Sequence, residues 1–120
     1  MNTNEIKELI IKDNKNAVND GKRLIASFIM KNGKTKTKKF GSAKAFTYFD
    51  GATDEKRNGY LARHKVRENW NDISSAGALA KEVLWTDTNK SKIEKNINRK
   101  FKIPVVRIDF RKNKQKGSIF

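Results

Sequence analysis

Cysteine is missing from the chain altogether, which removes disulfides and thiolate metal sites and fits an intracellular or intraviral setting better than a secreted one. The single histidine, His64, leaves too few imidazoles for the usual zinc constellations, and any nucleophilic triad would have to use that one ring. No serine stands in a nucleophile-elbow pattern and no glycine-rich loop has phosphate-cradling spacing, so no cofactor is expected. Long apolar runs are also lacking. None approaches the ~20 residues of a membrane-spanning helix, and the start, MNTNEIKELIIKDNK, has neither the basic flank nor the apolar centre of a signal peptide. The expectation is a soluble protein that is neither secreted nor held in a membrane.

Acidic residues are the other scarcity. Thirteen Asp and Glu stand against 28 Lys and Arg, a formal charge of +15, where a small domain ordinarily carries a net charge of about 2 to 8. Such an excess calls for an acidic partner. Phosphate polymers are the commonest, because neutralising many phosphates releases condensed counterions and drives association without reading sequence. An anionic membrane or an acidic protein would answer the same charge.

The 120 residues suit one domain, and two Trp and seven Phe can fill a modest core despite a hydrophobic fraction of 36%. Ile6, Leu9 and Ile10 fall at helical spacing and predict a short amphipathic helix, which the polar run Asp13 to Gly21 separates from the rest. Residues 1–20 hold Lys7, Lys12 and Lys15 against Glu5, Glu8, Asp13 and Asp20, so the basic excess lies beyond them. This helix is expected to pack on its own domain or to pair with a second copy as a homodimer contact.

From Lys22 the period falls to two, and Asn32-Gly33 predicts a hairpin with a two-residue turn. That register sets Met30 opposite Thr35, Phe28 opposite Thr37 and Ala26 opposite Lys39, leaving Lys34, Lys36 and Lys38 together on the other face. Three ammonium groups roughly 6.5 to 7 Å apart could follow a phosphate backbone, or could simply be solvated. The cluster Ala45 to Phe49 reads as a third short strand or one helical turn, and as core material before base-stacking material.

Thr53 or Asp54 can cap a helix to about Asn69, on which Lys56, Tyr60, Arg63 and Arg67 form one stripe. It is the best single contact surface, with Tyr60 placed to touch sugar or backbone, although such stripes are often only the wet side of a helix. After a polar corner at Asn69 to Asp72, Ala76, Leu79, Ala80, Val83 and Leu84 mark a helix buried on one side. A further helix sets Ile93, Ile97 and Phe101 against the core and Lys92, Lys95 and Arg99 on the basic side. Pro104 ends it, and Val106, Ile108 and Phe110 alternate as a closing strand. The tail from Arg111, with Lys112, Lys114 and Lys116, reads as an arm that orders along a polyanion. His64 and Glu68, at i and i+4 with Asp72 near, are the only arrangement resembling a Mg²⁺-dependent nuclease. Pairing of Glu68 with an arginine and capping by Asp72 account for them more simply. Trp70 and Trp85 read as anchors at helix ends.

Tyr60-Leu61-Ala62-Arg63-His64, Arg67-Glu68-Asn69-Trp70-Asn71-Asp72, Ala76-Gly77-Ala78-Leu79, Leu84-Trp85 and Lys100-Phe101, together with the Phe28 to Phe40 hairpin, give the chain a likeness. It resembles a family of small basic uncharacterised proteins encoded by giant double-stranded DNA viruses and related elements such as virophages, over residues 24 to 102 or so. The resemblance implies a viral origin and a setting rich in double-stranded DNA, in the virion or the viral factory of the host cytoplasm. It brings no activity, cofactor or catalytic residue.

The fold expected is therefore α+β: a β-hairpin plus a further strand packed against about three helices, with an extra N-terminal helix. Residues 1–20 would be helix and linker, 21–110 the basic domain and 111–120 the tail. The function expected is sequence-tolerant binding of double-stranded DNA, with RNA as the variant partner, through Lys34, Lys36, Lys38, Lys56, Tyr60, Arg63, Arg67, Lys92, Lys95, Arg99, Arg111 and Lys112. Genome packaging or condensation is the role that fits. A metal-dependent nuclease and a protein–protein interaction module are the rivals.

Overall fold

In the computed structural model, which describes residues 2–114, the first apolar segment is a strand rather than the helix its spacing predicts. A short 3-10 turn at Thr3–Glu5 leads into β1 (Ile6–Asp13), and one helical turn, α1 (Ala17–Asp20), connects it to β2 (Lys22–Met30). β3 (Thr35–Ser42), α2 (Asp54–Lys65), α3 (Ala76–Leu84), α4 (Lys90–Phe101) and β4 (Val105–Asp109) follow. The strands form one sheet in the order β3-β2-β1-β4, with β1 antiparallel to β2 and parallel to β4. The architecture is α+β, as expected, with α3 and α4 packed on the sheet and α2 reaching the core through half-buried Tyr60 and Leu61.

The physical reason for the N-terminal correction lies in the register. Between Ile6 and Glu8 the pairing of β1 with β2 slips by one residue, a β-bulge. With that extra residue, Ile6 and Leu9 both reach the core, although strict alternation would put them on opposite faces; both are fully buried, as is Ile11. The i, i+3 spacing that imitates a helix is thus the mark of a bulged strand. Residues 1–20 are consequently not a separate unit, because β1 is an interior strand of the sheet. Of Ile6, Leu9 and Ile10, expected to pack on their own domain or on a second copy, Ile6 and Leu9 lie in the chain's own core beside Ile11, and Ile10 is half-buried.

The hairpin forms, but one residue out of the expected register. Gly33 has φ +87, its N–H donates to Met30 O at 3.0 Å, and Met30 N–H donates to Lys34 O at 2.8 Å. This is a three-residue loop with glycine in the left-handed position, not the two-residue turn. Ile29 therefore faces Thr35, Phe28 faces Lys36 and Ala26 faces Lys38. A one-residue slip moves every side chain to the other face, so Lys36 and Lys38 share the face of Phe28 and Ala26, the one that carries the helices.

That face holds the core. α3 packs against β3 and α4 against β4. Leu79, Val83 and Leu84 from α3, and Ile93, Ile97 and Phe101 from α4, meet Phe28 and Phe40 there, all at the positions their helical spacing assigns. Asn89 caps α4 by accepting from Lys92 N–H at 3.1 Å. Ser75, rather than Asp72, caps α3. Helix α2 begins at its expected cap, Thr53, but stops at Lys65, short of Asn69.

Ala45 to Phe49 is neither strand nor helical turn; it belongs to a turn-rich loop fastened by a buried ion pair. Arg23 donates from Nη1 and Nη2 to the two oxygens of Asp50 at 2.7 and 2.5 Å, with side-chain exposures of 4% and 0%. Asp50 also accepts from Thr47 N–H and Oγ1–H, each at 2.8 Å, and from Asn113 N–H at 2.7 Å. One carboxylate thus joins β2, the loop and the start of the tail, beside the Phe49–Phe110 pair at 4.7 Å.

Candidate nucleic-acid interface

Most carboxylates are occupied inside the fold. Besides Asp50, buried Glu82 holds Lys100 at 2.7 Å and Lys81 at 3.2 Å, and Glu94 accepts from the otherwise free edge N–H of Ile108 at 2.8 Å. Asp20 pairs with Lys39, Glu8 with Arg107 and Asp13 with Arg111. Asp72 accepts from Ser74 Oγ–H at 2.6 Å, and Asp87 accepts from the N–H groups of Thr88 and Asn89. Among the described residues, none of these ion pairs involves Lys34, Lys36, Lys38, Lys56, Arg63, Arg67, Lys92, Lys95 or Arg99. All nine are exposed.

The sheet sets two of these groups by opposite edges. Lys36 and Lys38 stand on the edge strand β3, with Lys34 in the loop beside it, whereas Lys92, Lys95 and Arg99 lie on α4, which packs by β4 at the other edge. Two strands intervene, so β3 and β4 themselves lie three strand spacings, about 14 Å, apart. Lysines along a free edge also discourage pairing with another chain. Arg99 leans on Asn96 at 3.0 Å, and Lys56 lies 5.7 Å from the Phe46 ring centroid.

Two expected contact residues, Tyr60 and Lys112, have structural duties. Tyr60 interrupts its stripe: half-buried, it stacks on Trp85 at 4.1 Å and 7° and on His64 at 4.1 Å and 24°. Burial pushes its hydroxyl up to about 12, with the nearby Glu68 charge adding to the shift. Lys112 is not a free arm residue, since its Nζ donates to Phe49 O at 2.7 Å and Thr88 O at 3.1 Å and sits 4.3 Å from the Phe49 ring centroid. Arg111 remains 92% exposed by its side chain, 3.8 Å from Asp13. The rest of the expected tail, 115–120, lies outside the described residues.

A ring column that no local pattern in the sequence marks stands at the end of α2. His64 Nδ1 meets Glu68 Oε1 at 2.6 Å, and Trp70 Nε1–H donates to Glu68 Oε2 at 3.0 Å. Glu68 therefore fixes the imidazole instead of pairing with an arginine. The i, i+4 spacing of His64 and Glu68 was the available signal; the tryptophan contact comes only from the chain reversal between α2 and α3. Among the described residues no three His, Cys, Asp or Glu side chains cluster as a metal site.

Gly77 explains how close the elements come, because a Cβ there would lie 2.4 Å from Glu68 Oε2. A helix gains up to about 1 kcal/mol from Gly→Ala, but two displaced hydrogen bonds cost about 0.5 to 1.5 kcal/mol each. Gly77→Ala is accordingly expected to destabilise by about 1 kcal/mol in urea unfolding. Gly59→Ala, whose Cβ would meet only the flexible Arg63 Nη1 at 3.2 Å, is expected to leave stability level or raised. A stabilised Gly77→Ala would contradict the packing.

No protein-family model matches the chain, and no solved structure matches it. It is 39% identical over 72 residues to an uncharacterized protein of Acanthamoeba polyphaga mimivirus, a match covering 55% of this chain and 72% of that one. At that identity and coverage, the chain belongs to the same family as the mimivirus protein, a family encoded by giant viruses.

Proposed function

We propose that this protein binds double-stranded DNA with little regard for sequence and serves to condense or package a giant-virus genome, in the virion or the viral factory. One observation carries the reading: most carboxylates are engaged within the chain, while Lys34, Lys36, Lys38, Lys56, Arg63, Arg67, Lys92, Lys95 and Arg99 have no ion-pair partner among the described residues. The excess charge is thus available at the surface, where phosphates can replace counterions. A family carried by a DNA virus supports duplex DNA over RNA as the polymer.

A gel-shift panel tests it, with two unrelated DNA duplexes, single-stranded DNA and duplex RNA, with and without Mg²⁺. Equal retention of both DNA duplexes, stronger than that of RNA, is the expected result. If no nucleic acid is retained at physiological salt, the reading fails and the interaction module takes its place. Degradation of DNA on adding Mg²⁺ would overturn it in favour of a nuclease.

A further inference from the structure

We propose that Arg63, His64 and Arg67 form a discrete site for one phosphate group, and that the ring column behind His64 serves to hold its imidazole in that site. The inference rests on the polyanion reading for the natural source of the phosphate. It differs in saying that the grip is focused at one built point instead of being spread over loose lysines.

The three side chains line an open depression of about 320 Å³ together with Val66. Val66 is 81% exposed, so the depression opens to solvent. Arg63 and Arg67 are four residues apart, and neither is in an ion pair among the described residues. Guanidinium groups present planar forks of N–H donors that match phosphate oxygens and repel metal cations. The chemistry of this lining selects an anion.

His64 is held from two directions. Glu68 takes Nδ1 at 2.6 Å, and the Tyr60 face stacks on the ring, backed by Trp85, which is only 6% exposed. A carboxylate on Nδ1 fixes the ring orientation and leaves Nε2 for a ligand, which it meets as an N–H donor to a phosphate oxygen when the ring carries both protons. With the side chain 40% exposed, that nitrogen is within reach of solvent species. The charged groups around the ring are Arg63 and Lys65 of α2, with Arg67 and Glu68 beyond its end; Lys81 of α3 lies over Trp70 at 5.4 Å. Glu68 is the one carboxylate among them, and both its oxygens already accept hydrogen bonds.

A side chain exposed on a helix ordinarily needs no such support. Here Tyr60 and Glu68 bear on one imidazole, Tyr60 backed by Trp85 and Glu68 held by Trp70. Preorganisation of this kind lowers the ordering cost of binding, which is the physical use of the column.

The test is a ¹H–¹⁵N NMR titration of the full chain with inorganic phosphate, with dimethyl phosphate and with a short DNA duplex, following the His64 ring and the arginine Nε signals. Saturable shifts at His64, Arg63 and Arg67 with inorganic phosphate are expected, and His64→Gln should weaken that binding at least tenfold. His64 is part-exposed, so this variant should fold; matching far-ultraviolet circular dichroism checks it. An Arg63→Gln/Arg67→Gln double variant, which leaves the column intact, should lose the shift at His64. If phosphate moves the lysines of the hairpin as much as these three residues, or if His64→Gln binds phosphate unchanged, the site does not exist, even where duplex is still retained. Phosphate bound here by a protein that retains no duplex would overturn the genome-binding function and leave the site standing. Shifts with inorganic phosphate but not dimethyl phosphate would refute a backbone diester as its natural ligand.

Discussion

Asp50→Ala should cost about 3 to 5 kcal/mol of folding free energy, the usual consequence of leaving one member of a buried ion pair alone. The remaining Arg23 guanidinium, 4% exposed, would keep only Arg111 O, at 2.9 Å, as a hydrogen-bond partner. Domains are ordinarily stable by about 5 to 15 kcal/mol, so the loss is large enough to unfold a substantial fraction of the protein on warming. Urea denaturation at neutral pH measures it. Replacing both partners with apolar residues, Arg23→Met with Asp50→Leu, should be milder than Asp50→Ala because no uncompensated charge remains. An Asp50→Ala protein as stable as the parent would show that the loop does not depend on this carboxylate.

The same carboxylate gives a pH signature. Burial raises the pKa of Asp50, but the hydrogen bonds from Arg23, Thr47 and Asn113 together outweigh it and hold the group below its usual 3.8. A folded-state pKa below the unfolded one contributes stability above the unfolded value, which is lost as the pH falls through the folded pKa. The stability gap between the parent and Asp50→Ala should therefore be full at pH 7 and should narrow below about pH 4. A gap that stays constant into strong acid would contradict a pairing-stabilised carboxylate.

The second large effect is on binding. If about six phosphates are engaged, the association constant should fall by roughly 10³-fold or more between 50 and 200 mM salt, with a log–log slope near −5. Fluorescence anisotropy of a labelled duplex across a salt series gives this slope directly. Substitution to glutamine at Lys34, Lys36 and Lys38, or at Lys92, Lys95 and Arg99, should flatten it by about 1 for each contact removed. Because the two groups lie at opposite sheet edges, the variants also show whether one duplex touches both. A slope near zero in the parent protein would eliminate phosphate neutralisation as the basis of binding.

The sequence was most legible where a single local rule governed. Composition excluded disulfides and thiolate metal sites, and helical spacing located the buried faces of α3 and α4, because amphipathic periodicity depends only on which residues meet the core. Asn32-Gly33 identified a hairpin because few residues tolerate positive φ. Tryptophans beside helix ends were read correctly as anchors: Trp85 is buried and Trp70 has its indole N–H satisfied by Glu68.

Tertiary structure decided the rest, and each case has a physical cause. Ile6-Lys7-Glu8-Leu9 imitates a helix because a bulge and a helical turn both carry residues three apart to one side, and only the pairing with β2 distinguishes them. The hairpin register depended on a three-residue loop that Asn-Gly accommodates as readily as a two-residue turn. Charge alone could not show that Glu82, Asp50 and Glu94 turn inward, or that Tyr60 belongs to a ring column and Lys112 to a carbonyl pair. Such contacts join residues distant in the chain, from Glu94–Ile108 at 14 positions apart to Lys112–Phe49 at 63. Spacing along a sequence records the face a residue occupies, whereas its partner is set by how the faces come together.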